Sequence, residues 1–145
     1  MTFRGMDARV PVTSPEGRFH HSGQVAIYTS LTPEGTAIAI RRYMFTGDAP
    51  RVIQPLIVQA AHVVDLRGDR DASVIWQDIR ATGAPAPTWS YSDPARAGGA
   101  QAMLYSSRSR PELSHLVIFD PRILWLHPDA KPQIWCPEPG HGTGL

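Results

Sequence analysis

Nearly all the residues of this 145-residue chain whose types and spacing suit chemistry fall in three short stretches. The first, Gly17-Arg18-Phe19-His20-His21-Ser22-Gly23, leads at once into Ala26-Ile27-Tyr28-Thr29-Ser30. The second is Thr88-Trp89-Ser90-Tyr91-Ser92-Asp93. The third runs from Ala100 through Tyr105-Ser106-Ser107-Arg108 and closes with His115-Leu116-Val117-Ile118-Phe119. Lys131 is the only lysine, so nearly all the positive charge is arginine. That bias suits phosphate recognition, because a planar guanidinium grips phosphate through two parallel N–H donors. Taken alone, each residue also has an ordinary reading. Arg18 after a glycine turn is a solvated or salt-bridged arginine, Tyr28 a half-buried strand aromatic, and Ser107 a turn serine. The hydroxyls and rings of Thr88 to Asp93 either line a pocket or cap a following helix through Ser92 or Asp93. Gly98 and Gly99 either let the backbone pass close to a ligand or mark a helix end.

Other chemistries find little support. There is no Gly-rich phosphate loop of the dinucleotide or Walker type and no G-x-S-x-G nucleophile elbow. The six histidines are scattered apart from His20-His21, and neighbours on an extended segment point to opposite faces, which argues against a shared metal. The single cysteine, Cys136, reads as a packing residue and rules out an internal disulfide framework. A formal charge of +1 argues against direct nucleic-acid binding as the main task. No membrane span or leader segment is evident, so the expectation is a soluble cytoplasmic protein.

The elements that must position these residues read as short strands and helices in one α+β domain spanning 1–145. Val25 to Ser30 predicts a strand. Thr32-Pro33-Glu34 has the form of a helix start, with a hydroxyl cap, proline in the first turn and an acid at the positive end. That helix is expected to reach about Met44, with Ala37, Ile40 and Tyr43 or Met44 turned inward. Arg51 to Ala60 reads as a strand region with an edge or bulge at Pro55. His62 to Leu66 reads as a strand, 67–82 as a polar helical stretch, and Asp93 to Ala102 as a helix. Met103 to Ser106 and His115 to Phe119 read as two more strands. Residues 121–145 read as a Pro-rich extension with a mobile end.

The ordered set of stretches resembles the RES domain. In that family a G-R-[FW]-[NH]-x-x-G segment enters a strand ending in tyrosine, and a Y-x-S-[RS] stretch later precedes an apolar L-x-x-F strand. The resemblance covers roughly residues 3–120. It implies a compact fold like that of ADP-ribosyltransferases, with mixed short strands and flanking helices. It further implies a toxin that cleaves NAD as a glycohydrolase or transfers its ADP-ribose, with a protein among the possible acceptors, and that is neutralised by a small helix-turn-helix antitoxin. Carried onto this chain, Arg18 anchors the pyrophosphate, Tyr28 stacks on the nicotinamide and Ser107 orients the cofactor. His20 stands where relatives carry Asn or His, and Arg4 matches an early arginine near the phosphates.

One element of the pattern is missing. The family's glutamate falls about eleven residues beyond the tyrosine, which here is Ala39. A carboxylate near the ribose stabilises the positive charge that develops as the nicotinamide bond breaks. Either another acid takes over, with Glu34, Asp93 and Glu112 as candidates, or the chain is a catalytically silent module that binds a nucleotide or a protein through the same cleft. Glu34 also has a local reason to exist, as partner of the helix dipole.

Overall fold

A central four-stranded sheet with an apolar layer on each face organises the molecule. The computed structural model describes residues 1–3, 5–41 and 49–135. In chain order the elements are β1 (Thr2–Phe3), β2 (Ile27–Ser30), α1 (Pro33–Ile40), β3 (Arg51–Ile53), β4 (Leu56–Val58), β5 (Val63–Asp65), α2 (Trp76–Arg80), α3 (Trp89–Ala97), β6 (Ala102–Ser106), β7 (Ser114–Ile118), β8 (Leu124–Leu126) and β9 (Gln133–Trp135). The central sheet has the order β2-β7-β6-β5; its pairs are antiparallel except β5 with β6, which is parallel. A three-stranded sheet, β1-β3-β9, and a two-stranded one, β4-β8, complete an α+β architecture of short mixed strands and flanking helices.

Alternation along the central strands sorts side chains onto two faces. Tyr28, Met103, Tyr105 and Val117 pack with Phe19, Ala26, Ala95 and Phe119 on one side. Ile27, Ala102, Leu116 and Ile118 pack with Ile123, Leu124 and Leu56 on the other. With both faces covered, β6 and β7 are buried along most of their length. Their near-continuous apolar sequences follow from that double burial.

Several sequence expectations shift in detail. The first long strand begins at Ile27 rather than Val25. Thr32 caps α1 as expected, its hydroxyl accepting the Gly35 N–H at 3.0 Å. The described helix ends at Ile40, its only buried residue is Gly35, and Tyr43 and Met44 lie outside the described residues. Pro55, which lacks the N–H a continuous ladder needs, separates β3 from β4, and the two join different sheets. The polar stretch 67–82 divides into a 3-10 turn at Arg70–Ser73 and the short α2. Helix α3 starts four residues before Asp93, so Ser92 and Asp93 lie inside it and cap nothing. Gly98 and Gly99 end α3, Gly99 at φ +86° with the Ala100 N–H returning to the Ala95 carbonyl at 2.9 Å. A left-handed residue after the last turn is the usual glycine stop. Past Pro121, β8 and β9 each pair into a sheet.

Candidate functional site

Gly17–His20 enters β2 through a loop whose backbone is held from three directions. The Gly17 N–H donates to the His20 carbonyl at 3.0 Å and the Phe19 N–H to the Tyr28 hydroxyl at 2.9 Å. From α3, the Trp89 indole N–H donates to the Gly17 carbonyl at 2.9 Å, and the Thr88 hydroxyl donates to the Arg18 carbonyl. Arg96 closes the set, one Nη donating to the Phe19 carbonyl at 2.7 Å and the other to the Val25 carbonyl at 2.8 Å. Its guanidinium lies 4.0 Å above the Phe119 ring. The Thr88–Asp93 stretch therefore clamps the arginine loop. Asp93 accepts from His21 Nε2 and Gln24 Nε2, each at 3.0 Å, and so ties down the turn beyond it.

His20 and Tyr28 lock to each other inside this loop. His20 Nε2 lies 2.9 Å from the Ser14 carbonyl and Nδ1 2.8 Å from the Tyr28 hydroxyl. A carbonyl only accepts, so in the neutral ring Nε2 carries the hydrogen and Nδ1 accepts the Tyr28 O–H. Burial pushes the Tyr28 phenol up to about 12, so it stays protonated and keeps that bond. Gly17 permits the arrangement: a Cβ there would sit on the His20 ring and 2.8 Å from the Tyr28 oxygen. His21 turns the other way, its ring over Trp89 and its Nε2 on Asp93.

Arg18 is half-buried, and its Nη1 donates to the Val74 carbonyl at 2.6 Å. Its charge is felt by Tyr28, Tyr105 and His115 alike, which places the guanidinium near the central sheet. The segment that takes the Arg18 bond is also tied to the residue before Ser107: the Ser73 hydroxyl, one residue before Val74, donates to the Ser106 carbonyl at 2.7 Å. Ser107 itself is buried, and its Oγ accepts the Arg110 N–H at 3.3 Å, so it caps the turn after β6. The structure thus joins His20 to Tyr28, brings Arg18 within electrostatic reach of Tyr28, and sets Ser107 just beyond β6, two strands across the sheet from β2. Arg4 and Cys136 lie outside the described residues.

The acids are placed differently. Glu34 is 60% exposed and pairs with Arg110 at 3.0 Å, and Arg110 also holds Glu112. Ala39 is exposed on α1. All three candidate acids are therefore engaged: Glu34 and Glu112 by Arg110, Asp93 by His21 and Gln24.

One residue that the sequence does not single out belongs with this group. His115 on β7 is 5% exposed, with Nδ1 2.6 Å from the Ser30 hydroxyl and its ring 5.3 Å from that of Tyr105. Burial, aided by the Arg18 charge, depresses its pKa to about 4, so the imidazole is neutral at ordinary pH. The signal was the register: Ser30 opposes His115, which opposes Tyr105, across three strands. Only the strand pairing reveals it.

A cavity of about 320 Å³ runs along β2 and the start of α1, bounded opposite by Ile53 to Leu56. Tyr28, Ser30, Thr32 and Thr36 line it, whereas Arg18 and Ser107 do not. Tyr28 is a residue common to the cavity and the clamped loop. Among the described residues no helix is long and apolar enough to cross a membrane, and no group of three metal-ligating side chains occurs.

The curated proteins include no match to this chain. The model of the RES domain matches residues 2–136, including the clamped loop, the Tyr28 strand, the Ser107 turn and the strands after Pro121. The chain belongs to the RES-domain family.

Proposed function

We propose that this protein acts on NAD, cleaving the nicotinamide–ribose bond as a glycohydrolase or passing the ADP-ribose to an acceptor. The observation that carries this reading is the clamped arginine loop. Arg18 sits in a backbone whose three successive carbonyls, at Gly17, Arg18 and Phe19, are each held by a side chain of the α3 region. Such preorganisation is what a phosphate anchor needs, since an arginine held in place loses little freedom on binding. Tyr28, on the strand that the loop enters, supplies an aromatic wall, and Ser107, just beyond β6, supplies the hydroxyl that orients the cofactor. RES domains occur in NAD-acting toxin modules. The same reading gives the protein a small helix-turn-helix antitoxin as its neutralising partner.

The second reading is a nucleotide-binding module without turnover. Exposed Ala39 favours it, together with the pairing of Glu34, Glu112 and Asp93 to other side chains. One experiment separates the two: the chain is incubated with NAD and nicotinamide release is followed by chromatography, beside Arg18→Ala and Ala39→Glu. The first reading expects release by the wild type and a loss of about a hundredfold or more in Arg18→Ala. A silent wild type that binds NAD and gains release in Ala39→Glu supports the module instead. A wild type that neither binds nor cleaves NAD overturns both.

A further inference from the structure

The Ser30–His115 pair has no part in the roles assigned so far, yet it is built as a site. Ser30 lies two residues beyond Tyr28 on the same face of β2, and both line the cavity. Behind it, His115 is buried, and its Nδ1 lies 2.6 Å from the Ser30 oxygen, a short neutral hydrogen bond. Gly35 lets α1 close over this corner: a Cβ there would meet the Ser30 Cβ at 3.2 Å.

The strand itself adds polar groups. The Leu31 N–H donates to the Ser114 carbonyl, which fixes Ile27 and Thr29 as the residues bonded to β7. The peptide groups of Tyr28 and Ser30 then point out from the edge of the sheet, along the cavity. The wall opposite is formed by Ile53, Gln54, Pro55 and Leu56, largely apolar with the one amide of Gln54. A ligand that fits is one with a hydroxyl-bearing ring, its polar edge towards the strand and a largely apolar wall on the other side.

We infer that Ser30 contacts a ribose hydroxyl of the nucleotide in this cavity and that His115, acting through Ser30, is a positioning residue for that contact. The inference rests on the NAD reading and names the group that meets the sugar. It holds for either tautomer. If the Ser30 O–H is donated to His115, the serine oxygen accepts from the sugar; if His115 donates, the serine O–H is given to the sugar. A sugar hydroxyl satisfies both. No charge develops on the pair, because His115 is held neutral by burial and by Arg18. The pair therefore offers a ribose contact at the site without a carboxylate.

The test compares ADP-ribose with ADP, which share the pyrophosphate and differ in the terminal ribose. Binding of each is measured by calorimetry to the wild type, Ser30→Ala, Ser30→Thr, His115→Asn and Arg18→Ala. The wild type should prefer ADP-ribose by about tenfold, the scale of one or two neutral hydrogen bonds. Ser30→Ala and His115→Asn should erase that preference while ADP still binds, and Ser30→Thr should keep it. Binding of ADP by the variants shows that they fold. Arg18→Ala should weaken both ligands. A preference that survives Ser30→Ala, or is absent from the wild type, overturns the sugar contact and leaves the Arg18 reading intact. A wild type that binds neither ligand overturns that reading as well.

Discussion

The loop that carries Arg18 and the surface that carries Glu34 lie at the two ends of β2 and are built in opposite ways. On the loop side, charged and polar groups are spent on backbone carbonyls in a partly buried setting, where each bond also spares an acceptor from being left unsatisfied. On the other side, Arg110 holds Glu34 and Glu112 with side chains 42%, 60% and 58% exposed. Surface pairs of that kind are screened and entropically costly, so they contribute little. The cationic loop is rigid and partly buried, whereas Glu34 and Glu112 stand at the surface.

The strongest way to break this contrast is Arg96→Ala. It strips donors from the Phe19 and Val25 carbonyls and removes the stacking on Phe119. The expected loss is about 3–4 kcal/mol by chemical denaturation, with two charge-assisted bonds and the packing lost together. A loss below about 1 kcal/mol would mean that the loop holds its shape without α3.

Acid sharpens the contrast from the His115 side. This imidazole is depressed from its ordinary 6.5 to about 4, facing Arg18 from the loop, Tyr105 from β6 and Ser30 from β2. The unfolded chain then binds more protons than the folded one between those values, so stability falls as pH drops from about 6.5 to about 4. The full contribution is present above that window and amounts to about 3 kcal/mol at most. His115→Gln should flatten this part of the pH–stability curve; an unchanged slope would place the acid sensitivity elsewhere.

The smallest effect belongs to the exposed acids. Glu34→Gln should change stability by less than about 0.5 kcal/mol, and the residual difference should vanish in high salt. A tenfold drop in nicotinamide release from the same variant would instead make Glu34 the acting carboxylate.

How far the site could be read from the sequence follows the range of the interactions. Arg18, His20 and Tyr28 are close in sequence and meet within one loop and strand, so their grouping was legible. Thr32 and Pro33 announced α1 through local capping chemistry, which the structure retains. The role of Thr88 and Trp89 was hidden, because their partners lie 70 and 72 residues away and nothing in a T-W-S-Y-S string points to another loop's carbonyls. His115 was hidden for the same reason, visible only once β2 and β7 are set in register. The strand region around Pro55 was legible with its interruption, but not that the proline breaks the ladder so fully that its two halves join different sheets.

The span of these clamps also orders events in time. A chain made from its N-terminus releases Gly17 to His20 long before Thr88 to Arg96 has left the ribosome, since the bonds between them bridge 70 to 77 residues. Until α3 forms, the carbonyls around Arg18 are hydrated and the arginine is an ordinary flexible side chain. The clamp around Arg18 therefore closes only when about two-thirds of the sequence has been made, and a truncated product ending before α3 lacks it.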